Sequence, residues 1–157
     1  LAAVLTRHGA TRLDRGETAS HCLSRLPDAH RELLLAISNM LALTGTASFD
    51  EDAFYLARVR LVRASSERRW LWRKILEDLL PLAELEEAEV LKSLQSRDMD
   101  LLCASTLHLQ HWFPAAVAAD WGAYEPQLRA LCVRMLKQIG HEQATLFPVL
   151  KQFAGKS

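Results

Sequence analysis

Between residues 26 and 150, leucine, isoleucine and methionine recur every three or four positions, and no stretch longer than a few residues alternates polar with apolar as a half-buried strand would. Only six glycines and five prolines interrupt this pattern, so the chain has few places to turn. The first main helix is expected to begin near Pro27, at the earliest at Thr18, and to stop before Gly45, with Leu26, Leu33, Leu34, Ile37, Met40 and Leu41 as its apolar stripe and His30 on that stripe. A second opens at Ser48-Phe49-Asp50-Glu51, where Ser48 and Glu51 can form a capping box, and runs to Leu80, where Pro81 stops it. A third covers about residues 83 to 113, with a break expected near Ser96 to Asp98, and Pro114 ends it. After a turn-rich segment, the last starts at Pro126 and carries Leu128, Leu131, Cys132, Met135, Ile139, Leu146 and Leu150 on one face.

Each of these segments can bury its stripe only against the others, so the expected fold is all-α, an up-and-down four-helix bundle with short extra helical segments. Residues 1–20, polar over most of their length and carrying Gly9 and Gly16, read as an irregular lead-in, and residues 21–157 as a single helical-bundle domain. A chain of 157 residues, half of them hydrophobic, suits one core.

Nineteen basic and nineteen acidic side chains balance, so no net field draws the protein to nucleic acid or to an acidic membrane. Cys22, Cys103 and Cys132 are odd in number, widely spaced and set among apolar neighbours, which reads as buried reduced thiols. The apolar opening Leu1 to Leu5 is too short for a signal-peptide core or a membrane span. A cytoplasmic protein is the expectation.

The most informative stretch is Gln138 to Leu150. Helical spacing puts Gln138, Glu142 and Leu146 near the stripe of Leu131 and Met135, with His141 to the side. A carboxylate on a core stripe needs a partner, which a metal, an arginine or a histidine can supply. Glu142 followed by Leu146-Phe147-Pro148 resembles the hemerythrin-like, or HHE cation-binding, family of four-helix bundles, whose inward helices often carry a histidine, a glutamate four residues on, and then Leu-Phe-Pro. The resemblance implies that His30 matches the family's first histidine ligand and that His108 or His111 supplies another; His30, His108, His111 and Glu142 are therefore the candidate metal ligands. Gln138 stands where the motif has histidine, and no histidine lies between His30 and His108. The second helix offers only Glu67, Glu77 and Asp78, beside Arg68, Arg69, Arg73 and Lys74. The family's di-iron site needs about five imidazoles and two bridging carboxylates, which this chain does not supply.

Two other patterns resemble known signatures. Thr6-Arg7-His8-Gly9 resembles the Arg-His-Gly signature of the histidine phosphatases, with Gly140-His141-Glu142 as a second histidine, but that fold requires a parallel sheet. Asp28 to Leu33 resembles the histidine box of sensor-kinase helices, yet phosphotransfer needs an exposed imidazole and His30 falls on the apolar face. Trp70 and Trp72 point about 200° apart on a helix, so one belongs to the core and the other can anchor a partner. No glycine-rich phosphate loop, nucleophile elbow or metalloprotease motif is present.

The leading expectation is a non-catalytic hemerythrin-like bundle that binds a protein or small ligand, without cofactor and without nucleic acid or membrane as partner, a homodimer being one arrangement left open. The alternative is an iron- or other cation-binding oxygen or redox sensor, and the second alternative is the phosphatase.

Overall fold

The computed structural model describes the backbone of residues 2–46 and 49–155, and the side chains of residues 21–46, 49–146 and 148. The protein is all-α, and no strand occurs among the described residues. The helices are α1 (Ala2–Ala42), α2 (Glu51–Leu79), α3 (Leu85–His111), α4 (Pro114–Ala119) and α5 (Trp121–Gly155), with a single 3-10 turn at Leu80–Leu82. α1 packs along α2 and also meets α5, which packs on α3. The parallel sheet required by the Arg-His-Gly reading is absent among the described residues, and the backbone around His8 belongs to α1.

The helix boundaries follow local chemistry. α1 ends in a turn at Gly45, whose φ of 84° is a left-handed conformation that a side chain would strain. At the start of α2 the Asp50 carboxylate accepts from the Ala53 amide at 2.9 Å, so Asp50 is the cap; Ser48, the expected cap, lies outside the described residues. Glu84 and Glu87 form a reciprocal capping box at the start of α3. Pro114 occupies the first turn of α4, where its missing amide costs nothing.

Three expectations about where helices begin and break are corrected. The backbone of residues 2–20 is helical and continuous with the rest of α1, where an irregular lead-in was expected, and Pro27 lies inside that helix instead of opening it. The segment carries four alanines and three arginines, and two glycines at about 1 kcal/mol each do not outweigh these helix formers. α5 starts at Trp121, five residues before Pro126, because the Asp120 carboxylate caps the Ala123 amide at 3.0 Å. α3 runs without a break through Ser96 to Asp98, since Asp98 is buried and bonded in the core and does not open a new cap.

The core lies in two clusters. One contains Leu33, Ile37 and Met40 of α1, Phe54 and Leu61 of α2, Leu101 of α3 with Trp112 just past its end, and residues of α5 from Tyr124 to Ile139. The other contains Cys22 and Leu26 of α1, Leu71 to Leu79 of α2, Leu91 and Leu94 of α3, and Leu146 of α5. Along α1 and α3 the second cluster comes first, and along α2 and α5 the order is reversed. Between the clusters each long helix contributes a buried polar residue: His30, Arg68, Asp98 and Glu142.

Among the described residues no helix is long and apolar enough to cross a membrane. Cys22 and Cys132 are buried free thiols, and burial pushes Cys132 up to about 11. Cys103, expected to be buried, is exposed. It sits five residues beyond Asp98, about 140° round α3 from the inward stripe.

Candidate functional site

The buried polar layer is built by helix periodicity. On α2, Leu61, Ser65, Arg68, Trp72 and Ile75 share one inward face, and on α3 Leu91, Leu94, Asp98, Leu101 and Ser105 do the same. Arg68 and Asp98 are thus core residues by position, surrounded by leucines at the neighbouring turns.

Arg68 is 1% exposed and Glu142 is fully enclosed, so neither charge can be hydrated. One guanidinium nitrogen of Arg68 donates to Glu142 Oε1 and the other to Asp98 Oδ1. Glu142 Oε1 also accepts from Gln138 Nε2 at 2.9 Å, and Glu142 Oε2 lies 2.9 Å from His30 Nε2. An ionised carboxylate only accepts, so the His30 proton sits on Nε2. Both oxygens of Glu142 are therefore engaged, by three residues from three helices. Arg69 extends the layer, its Nε 3.9 Å from Asp98 Oδ2.

The electrostatics follow from this geometry. Burial is the largest single influence on Glu142 and would raise its pKa, but the His30 hydrogen bond, the Arg68 charge and the Gln138 hydrogen bond together hold it below the ordinary carboxyl value. Burial likewise works to lower Arg68, and the charges of Glu142 and Asp98 outweigh it, leaving Arg68 raised. The layer is a charge-paired set whose members each need the others.

Of the candidate ligands, the structure brings His30 and Glu142 together and places His108 and His111 elsewhere. His108 lies ten residues beyond Asp98 on α3, about 15 Å along the helix, with its ring 5.3 Å from that of Tyr124. His111 is exposed and meets Trp112 edge-on at 5.0 Å. Burial, then Arg58, then His111 hold His108 below the ordinary imidazole value. Among the described residues no three His, Cys, Asp or Glu side chains converge as a cation site. A metal beside Glu142 would have to take an oxygen that already bonds Arg68 or His30, and the donor set of His30, Glu142 and Asp98 encloses a guanidinium; these residues do not fit a di-iron centre. Of the second-helix carboxylates, Glu77 bonds Lys74 at 2.8 Å and Glu67 pairs with Arg25 of α1.

Arg68 and Asp98 were not singled out as core residues from sequence. The signal was present: each falls on the three-and-four spacing of its helix's leucines, where a charge must be paired. Trp72 is buried and Trp70 is 41% exposed, with the Arg25 guanidinium 5.9 Å from its ring centroid. One tryptophan of the pair thus packs in the core and the other stands at the surface.

A second feature lies beside the layer. A cavity of about 200 Å³ runs between α2 and α3 over a floor of α5, and Arg58, Arg69, His108 and Tyr124 are among its lining residues. Buried Ser65 and Ser105, at core positions where a leucine would fill the space, leave it room. Comparison with protein-family models gives no match, and neither curated proteins nor solved structures give a significant one.

Proposed function

We propose that the chain is an up-and-down four-helix bundle of hemerythrin-like type in which a buried arginine stands where that family holds metal, and that it works without catalysis, by binding a small ligand or a protein. The observation that carries this is Arg68: a guanidinium 1% exposed, bridging Glu142 and Asp98 at the centre of the core. The alternating order of the two apolar clusters along successive long helices supports the up-and-down arrangement. Gln138, which replaces the motif histidine, supports the loss of metal, because it donates a neutral hydrogen bond to Glu142.

In this reading the layer fixes the register of the four helices, since each contributes one member and a slip of any helix strands a charge. Binding falls to the surfaces and the cavity around it.

Protein purified without chelators is expected to contain iron, manganese and zinc well below one equivalent. Stoichiometric metal that disappears in the His30→Ala variant would overturn the proposal in favour of a metal-dependent sensor.

A further inference from the structure

The cavity between α2 and α3 has a shape and a charge that specify an occupant. Its lining on α2 runs from Arg58 to Arg69, and on α5 from Tyr124 to Met135. Each span is eleven residues, about 16 Å at the helical rise. The cavity is therefore a slot lying along the helices. At roughly 30 Å³ for each water-sized group, 200 Å³ holds six or seven such groups in a row.

The two ends of the slot differ in charge. At the Arg69 end the charges are matched, because Arg68 and Arg69 face Asp98 and Glu142. At the other end Arg58 is half-buried and has no carboxylate partner among the described residues. It donates to the Leu109 and Trp112 carbonyls, the former at 3.1 Å, which leaves its positive charge uncancelled. His108 Nε2 lies buried nearby with no partner among the described residues. Burial pushes the Tyr124 hydroxyl up to about 12, so it stays a neutral donor. The middle of the slot is apolar, lined by Leu61, Leu128, Leu131 and Met135.

We infer that the slot binds a short, straight-chain aliphatic monocarboxylate, with its head at the Arg58, His108 and Tyr124 end and its tail against the leucines of α2 and α5. A monoanion cancels the charge of Arg58, and a dianion would bring a second negative charge that no other cation among the described lining residues at that end of the slot meets. About 200 Å³ spread along the slot's length leaves a narrow cross-section, which suits an unbranched tail. This inference rests on the ligand-binding reading above and names its ligand; metal analysis tests that reading, and the titration below tests the slot, so the two can fail separately.

The test is calorimetric titration of the full chain with hexanoate, with acetate as a head without a tail and 1-hexanol as a tail without a head. Hexanoate is expected to bind with a Kd below about 1 mM, and at least about tenfold more tightly than either control. Arg58→Gln should weaken hexanoate by about tenfold or more and leave hexanol unchanged. Ser105→Leu, which fills the middle of the slot, should abolish hexanoate binding while circular dichroism remains helical; Ser65→Leu does the same from the α2 wall if the first variant does not fold. Hexanoate binding no tighter than acetate, or binding that survives a folded slot-filling variant, overturns the inference. Should neither filled variant fold, the Arg58→Gln result decides.

Discussion

The charged layer and the aromatic end are built on the same long helices, yet they fill the core by opposite means. At the aromatic end Phe49, Phe54, Trp112, Trp121 and Tyr124 meet with ring centroids 5.0 to 5.9 Å apart, and the side chains answer mainly to shape. In the layer, His30, Arg68, Asp98 and Glu142 answer to charge and to hydrogen-bond direction. A ring packed among rings can be replaced by another apolar group of similar size at modest cost. A guanidinium enclosed with two carboxylates cannot be replaced alone, because its removal leaves Glu142 without its cation and Asp98 with only the longer contact to Arg69. The difference predicts that isosteric changes in the two regions differ in cost by several-fold.

The largest effect is expected from Arg68→Met. Chemical denaturation should show a loss of about 3–5 kcal/mol, the usual consequence of breaking one side of a buried ion pair. Replacing the three charges together, as Arg68→Met with Asp98→Asn and Glu142→Gln, should recover part of that loss, since no carboxylate then stays buried without its cation and the new glutamine amide can still bond His30 and Gln138. If the single variant is as stable as the parent, the layer is not the constraint described here and the contrast with the aromatic end collapses.

Acid should find the same weak point. Glu142 is held below its ordinary value in the folded protein, so the unfolded chain binds the proton more readily. The stability it contributes is complete above the unfolded carboxyl value of about 4.3 and is lost as pH falls through the folded value. Denaturation midpoints measured from about pH 6 down to about pH 3 should therefore fall, and Glu142→Gln, already destabilised, should show a shallower fall. An unchanged slope in that variant would mean that other carboxylates dominate acid unfolding.

At the aromatic end the expected cost is smaller. Phe54→Leu keeps the site apolar and should cost less than about 1.5 kcal/mol, despite Phe54 being 2% exposed and in contact with three other rings. A loss as large as that of Arg68→Met would show that ring geometry, and not apolar volume, holds this end together.

How far these two regions could be read from sequence differs for the same reason. The leucine stripes obey a period that a single chain displays, so the all-α class, the end of α1 before Gly45, the inward face of α5 and most of that of α1 were legible, Leu34 being the exposed exception. The helical run through residues 2–20 was not, because two glycines and a polar composition mimic a loop while the remaining residues favour helix. In the layer, the need of Glu142 for a partner was legible from its place on the stripe, and arginine was among the partners named. Which arginine, and that Asp98 completes the set, depends on the alignment of α2, α3 and α5 in space, and no spacing within one helix encodes that alignment. Asp98 was misleading for a definite reason: Ser96-Arg97-Asp98 is the composition of a helix start as well as of a core residue with its solvated neighbours.

The smallest expected effect tests where the two regions meet the slot. His108 packs on Tyr124 at the aromatic end and is held below the ordinary imidazole value by burial, with Arg58 and His111 adding to the effect. Its neutral form is the one the folded protein favours, so its contribution is full above the unfolded value of about 6.5 and is lost as pH falls through the folded value. Between about pH 5 and pH 7 the urea midpoint should rise slightly, and His108→Gln should flatten the rise while leaving the steeper fall below about pH 4 in place. Hexanoate in the slot should reverse the sign, because a carboxylate beside His108 favours its protonated form and so strengthens the complex as pH falls over the same interval. A rise that persists in His108→Gln would assign the titration to another histidine, and a binding constant independent of pH would place the carboxylate away from His108.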